Sequence, residues 1–94
     1  MKTYYVYVLT DKNNQFFYTG VTNNIARRTW EHKGKFVNSY CKRYNINKLV
    51  YCEIHNDVIL AIHREKLIKK WKRSFKIDAI NNMNPDWNDL YLSL

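Results

Sequence analysis

Two runs of aromatic and β-branched residues, 3 to 9 and 16 to 21, flank the polar stretch Asp11-Lys12-Asn13-Asn14, and this pairing constrains the fold more than any other feature of the chain. Such residues suit a pleated, half-buried surface, and Asp and Asn supply turn chemistry, so the segment predicts an antiparallel β-hairpin. If Thr10 and Gln15 close a four-residue loop, Leu9 stands opposite Phe16 and Tyr7 opposite Tyr18, placing both phenols on one sheet face. A slip of one residue would part them.

Beyond the hairpin, Thr22-Asn23-Asn24 offers N-cap chemistry for a helix from about Ile25 to Lys33, in which Ile25, Arg28, Thr29 and His32 share a face. Gly34 ends it, and a second short helix is expected with Phe36, Val37, Tyr40, Cys41 and Tyr44 as its apolar stripe, broken by Asn45 to Asn47. Leu49 to Ile54 reads as a third strand. Asn56-Asp57 then caps the longest helix, about Val58 to Arg73. Its apolar arc is read as Leu60, Leu67, Ile68, Trp71 and Phe75, with lysines over much of the remainder and Glu65 at the border. Arg64 projects into that arc and calls for a partner or a snorkelling stem. A last helix, about Ser74 to Asn82, precedes Asn84-Pro85-Asp86-Trp87, and the aromatic end is expected to dock on the body. Tyr4, Tyr5, Tyr40, Tyr44 and Tyr51 are assigned to core or rim.

With 94 residues and 46% hydrophobic content, the chain is read as one compact domain, 1–94, of α/β (α+β) class. A formal charge of +8 on so small a surface attracts polyanions, nucleic acid first among them; the plain alternative is a basic soluble protein. Cys41 and Cys52 form no C-x-x-C pair and are read as reduced, buried thiols; with His55 and His63 they fit no common zinc spacing. The strand-like N-terminus does not resemble a signal peptide, and no apolar run approaches the ~20 residues of a membrane span, so a cytoplasmic location is expected.

Cutting a phosphodiester requires an activated water, positive charge on the phosphate and stabilisation of the leaving oxygen. Arg28 offers a fixed fork for phosphate, Tyr7 and Tyr18 offer phenols, His32 can orient or exchange a proton, and Glu65 is an oxygen ligand suited to Mg²⁺. Taken singly, each has an ordinary structural reading: packed tyrosines, an exposed Arg-x-x-x-His pair, a Glu65–Lys69 ion pair. Lys66, Lys69, Lys70, Lys76 and Arg73, with Trp71 among them, read as a face that tracks a phosphate backbone rather than a merely solvated one.

Together, Tyr5-Val6-Tyr7, Tyr18-Thr19-Gly20, Arg28-x-x-x-His32 and Glu65-Lys66-Leu67-Ile68-Lys69 give a pattern that resembles the GIY-YIG nuclease superfamily, in particular its short stand-alone bacterial members. The resemblance runs from about Tyr4 to Trp87. It implies a small three-stranded antiparallel sheet flanked by helices. It also implies roles: Tyr7 as general base or water-positioning group, Tyr18 as phosphate-binding or proton-relaying phenol, Arg28 on the scissile phosphate, His32 in support, and Glu65 on a single divalent metal, Mg²⁺ or Mn²⁺. Gly20 would allow close backbone approach. Asn84 is matched to a later asparagine of the family. The first motif carries Tyr5 and Val6 where the family has glycine and isoleucine, and Thr19 replaces the second isoleucine.

The expectation is a metal-dependent endonuclease acting on DNA in repair or processing, with weak sequence preference and branched or single-stranded DNA as candidate substrates. Lys66, Lys69, Lys70, Arg73, Gly20 and Asn84 are the candidate nucleic-acid contacts, and a protein partner is a candidate source of specificity. The alternative is a non-catalytic module that binds nucleic acid through the same basic surface.

Overall fold

The computed structural model describes residues 2–34 and 39–94. Strand β1 (Tyr4–Thr10) runs through the middle of a three-stranded antiparallel sheet, with β2 (Phe17–Thr22) on one side and β3 (Lys48–His55) on the other. The hairpin forms as its composition demands, but its register is two residues from the expected one: Leu9 faces Tyr18, Tyr7 faces Gly20 and Thr10 faces Phe17. The cause is a longer loop, residues 11–16. The Asp11 carboxylate accepts hydrogen bonds from the backbone N–H groups of Gln15 (2.7 Å), Phe16 (2.9 Å) and Asn13 (3.3 Å). Burial opposes ionisation of Asp11, yet these bonds hold its carboxyl below the usual range. Asn14 takes the left-handed conformation the turn requires, with φ of 58°. A two-residue shift preserves side-chain parity, so Tyr7 and Tyr18 remain on one face as diagonal neighbours.

Strand alternation divides the core in two. Tyr4, Val6, Val8, Phe17, Val21 and Val50 face one layer, which contains Ala61, Ile68, Trp71, Ile80 and Trp87; Tyr5, Tyr7, Leu9, Tyr18 and Leu49 face the other, which contains Ile25, Cys41, Tyr44, Ile46 and Leu90. Helix α1 (Ile25–Lys33) has the expected bounds, because the Asn24 side chain accepts from the backbone N–H of Arg27 and caps it. Helix α2 (Ser39–Tyr44) buries Cys41, half-buries Tyr44 and leaves Tyr40 exposed; Phe36 and Val37 of the expected stripe lie outside the described residues.

Helix α3 (Val58–Lys70) departs from expectation in two ways. It stops at Lys70 instead of Arg73, because Trp71 turns extended (φ −62°, ψ 145°) and α4 (Arg73–Met83) begins anew, carrying Ile80 into the core. Its inward face is Ala61, Glu65 and Ile68, at i, i+4 and i+7, while Leu60, Leu67 and Phe75 are exposed. Packing small Ala61 inward lets the helix approach β1 and β2 closely. Arg64 finds its partner across the layer: Nε donates to Glu53 Oε1 at 3.0 Å, Nη2 pairs with the other carboxylate oxygen, and the guanidinium lies over the Trp71 ring.

The C-terminal end docks on β3 through a 3₁₀ turn, Leu90–Ser93. Asp89 fastens it, accepting from Lys33 Nζ at 2.5 Å and from the backbone N–H groups of Leu49 and Tyr91. Among the described residues, no helix is long and apolar enough to cross a membrane.

Candidate active site

Four of the chemically candidate side chains converge on the α1 side of the sheet. Tyr7 projects from central β1 across to the edge strand, where Gly20 is its register partner. A Cβ at Gly20 would lie 2.4 Å from the Tyr7 hydroxyl and 2.5 Å from Cζ, so the phenol occupies space only glycine leaves open. Arg28, one turn into α1, donates through Nη1 to the Tyr7 hydroxyl at 3.5 Å, and His32, one turn later, brings Nε2 within 3.5 Å of the same oxygen. The Tyr18 ring stands 6.4 Å from that of Tyr7 and 5.4 Å from that of His32, centroid to centroid.

The hydroxyl of Tyr7 can accept from Arg28 while donating to His32 Nε2, an arrangement that requires neutral imidazole. The electrostatics agree. Burial, with the Arg28 charge adding to it, lowers the His32 pKa to about 4. Burial raises that of Tyr7 to about 12, against the pull of Arg28's hydrogen bond and charge. Tyr7 and His32 are both buried, whereas Tyr18 is partly exposed and the Arg28 side chain is 34% exposed. The cluster thus has a solvent-facing pair backed by an inner pair. Glu31, which spacing alone marks as an i+3 neighbour, steers the fork from behind by pairing with Arg28 Nε at 3.3 Å.

Glu65 is placed differently. It lies on the inward face of α3, in the layer on the other side of the sheet, and among the described residues no hydrogen bond or ion pair joins it to the tyrosine cluster. Its Oε1 pairs with Lys69 Nζ at 3.2 Å; its Oε2 is buried with no hydrogen-bond partner. The sheet separates it from the cluster, and β2 is an edge strand of that sheet, so a ligand that engages both would wrap around its free edge. Among the described residues, no group of three His, Cys, Asp or Glu side chains is arranged to hold a metal. A lone carboxylate with an unsatisfied oxygen suits Mg²⁺ or Mn²⁺, cations that accept few carboxylates and retain waters.

The candidate nucleic-acid contacts also separate. Lys66 and Lys70 are exposed. Arg73 instead clasps the β1–β2 loop, donating to Gln15 O at 2.7 Å and Asn14 O at 3.4 Å, with its guanidinium over Phe17. Asn84 is buried away from the cluster; its amide donates to Val50 O and Asn88 O and accepts from the Asn88 N–H, so it serves as an internal bracket for the C-terminal turn. That use leaves no amide proton for DNA. Burial raises the thiols of Cys41 and Cys52 to about 11, which keeps both protonated and unreactive at neutral pH.

Residues 3–78 match the family described as GIY-YIG catalytic domain. The chain is 37% identical to a UPF0213 protein of Syntrophus aciditrophicus over 92% of its own length and 98% of that relative, and 36% identical to a UPF0213 protein of Clostridium perfringens over 83% of each. The solution NMR structure of a UPF0213 protein from Bacillus halodurans shares the fold, with a TM-score of 0.58 at 23% identity over 93% of this chain and 92% of that one. The ordered tyrosines, the Arg28–His32 face and these similarities together place the chain in the GIY-YIG nuclease family, alongside its UPF0213 members.

Proposed function

We propose that this protein is a divalent-metal-dependent endonuclease that hydrolyses DNA phosphodiester bonds in a cytoplasmic repair or processing role. The observation that carries the reading is the convergence of Tyr7, Tyr18, Arg28 and His32 over Gly20. Arg28 presents its fork to the scissile phosphate, and Tyr18 presents a phenol beside it. As water attacks phosphorus in line, the opposite P–O bond breaks, and the proton shed by the water passes along the partly exposed Tyr18 phenol to solvent. Tyr7, protonated at neutral pH, acts as a positioning residue that fixes both Arg28 and His32. Glu65 would hold Mg²⁺ or Mn²⁺, which when bound supplies charge stabilisation at the phosphate and leaving oxygens.

Unpaired DNA is the substrate form that the surface beside the cluster suits. Phe16 stacks on Tyr44 at 4.5 Å, Tyr40 meets Tyr44 edge-on at 5.3 Å, and Arg43 lies over the Tyr44 ring. Phe16 and Tyr40 are exposed, and open depressions of about 460 and 420 Å³ share Tyr44 as a wall. Exposed aromatic faces beside cations accept splayed bases without sequence preference. Flaps and branch points offer such bases.

The reading is tested by incubating labelled single-stranded, flap, branched and duplex DNA with Mg²⁺ or Mn²⁺, using wild type, Tyr18→Phe and Arg28→Ala. Cleavage of the unpaired forms, lost in both variants, is expected. A second reading, a nucleic-acid-binding module that does not cut, is favoured by one observation, the placement of Glu65 and the tyrosine cluster on opposite faces of the sheet. It predicts binding by all three proteins with no cleavage of any substrate.

A further inference from the structure

Thr19 follows Tyr18 on edge strand β2 and faces the opposite way, with Phe17 and Val21, into the layer under α3. Its neighbours on that face, together with Val6 and Val8 of β1, are apolar, so valine would fill the position as well as threonine does. The hydroxyl therefore calls for an explanation. It is buried, with the residue 4% exposed, and it has no hydrogen-bond partner. Burying an unpartnered hydroxyl is unfavourable, and native structures rarely leave one without a water, an ion or a role.

The same layer holds a second orphan. Glu65 is 7% exposed, and its Oε2 is likewise buried and unpartnered, Lys69 having taken the other oxygen. Both residues face the same layer: Thr19 is the register partner of Val8, and Val8 belongs to one cluster with Ala61 and Ile68, the residues one turn before and after Glu65 on the inward face of α3. A carboxyl oxygen on α3 and a hydroxyl oxygen on β2, both buried and without a hydrogen-bond partner, are the oxygen donors a hard cation takes.

We propose that Thr19 Oγ1 is the second protein oxygen of the Glu65 cation site, holding Mg²⁺ or Mn²⁺ or a water of its shell. This rests on the endonuclease reading for the cation's use, and adds to it a ligand on the strand that also carries Tyr18. Tyr18 and Thr19 then couple the two halves of the site through adjacent residues of β2.

The test is an electron paramagnetic resonance titration of Mn²⁺ into the DNA-free protein, comparing wild type, Thr19→Val, Thr19→Ser and Glu65→Gln, with thermal melts of each. Thr19→Val is expected to weaken Mn²⁺ binding by about 10-fold, the lower end of the range for removing a supporting ligand. It is also expected to raise the metal-free Tm by about 5 °C, since an orphan hydroxyl is removed. Thr19→Ser restores binding. Unchanged Mn²⁺ affinity in Thr19→Val, with Glu65→Gln weakened, overturns the Thr19 assignment and leaves the Glu65 site standing. No saturable Mn²⁺ site in wild type, or an undiminished one in Glu65→Gln, overturns both. Should Thr19→Val fail to fold, Thr19→Ala removes the same oxygen without added bulk and must show the same loss.

Discussion

The Tyr7 phenol lies against the backbone of Gly20, its register partner on the neighbouring strand, so closely that a Cβ there would come within 2.4 Å of its hydroxyl. The ring is what must move if Gly20 gains a side chain, because the glycine belongs to a hydrogen-bonded ladder. Tyr7 in turn holds Arg28 and His32. Gly20→Ala is therefore expected to destabilise the protein by roughly 1–3 kcal/mol through overpacking. The displaced phenol is also expected to reduce cleavage by about 100-fold through misplacement of the phosphate fork. Urea denaturation and single-turnover nicking assays measure the two effects separately.

Acid lability should carry the signature of His32. Its pKa is depressed from 6.5 to about 4, so between these values the unfolded chain binds the proton and the folded one does not. Stability is fully present above pH 6.5 and falls as pH drops towards 4, by an amount on the order of 3 kcal/mol. Urea denaturation at pH 7 and pH 4.5 should show that loss in wild type, and His32→Phe, which cannot be protonated, should show much less of it.

A second acid transition belongs to Glu53. Burial alone would raise its pKa, but hydrogen bonds from Arg64, Tyr51 and His55 bring it down from 4.5 to about 2. The carboxylate contributes stability above pH 4.5, and that contribution is lost as pH falls through 2. Arg64→Ala leaves this largely buried carboxylate short of its main partner and is expected to cost about 3 kcal/mol at pH 7. Thermal melts of Arg64→Ala and of the double variant Glu53→Gln/Arg64→Met check the assignment, since the double variant should recover much of the loss.

How much of this was legible in the sequence depends on the range of the interaction. The bounds of α1 could be read from Asn24 and Gly34 because capping is local. The shared face of Tyr7 and Tyr18 could also be read, since parity survives a two-residue shift. The register itself could not. It is set by the Asp11 carboxylate folding the loop back on its own N–H groups, and by Arg73 reaching across from α4. The inward face of α3 was misread for a similar reason. Hydrophobicity favoured Leu60 and Leu67, whereas close approach to the sheet favoured Ala61, and the partner Arg64 required was a glutamate eleven positions upstream on another element. Glu65 was legible as a site residue by pattern, but its layer is a property of the tertiary fold.

The aromatic surface beside the cluster makes a prediction about substrate form. Tyr40→Ala and Phe16→Ala should each weaken binding of single-stranded DNA by about 1–3 kcal/mol while leaving duplex binding nearly unchanged, because only unpaired bases stack there. Fluorescence anisotropy at fixed salt checks this, and equal losses on both DNA forms would point to a general electrostatic role instead.

Whether the tyrosine cluster and Glu65 act as one nuclease site around the edge of β2 is decided by nicking of labelled flap DNA by wild type and Glu65→Ala. The assay is run with Mg²⁺, with Mn²⁺ and with chelator, alongside DNA binding. Metal-dependent nicking by wild type is expected, abolished in Glu65→Ala while binding persists. Nicking that survives both the substitution and the chelator would mean that Glu65 and a divalent metal play no part in the cleavage.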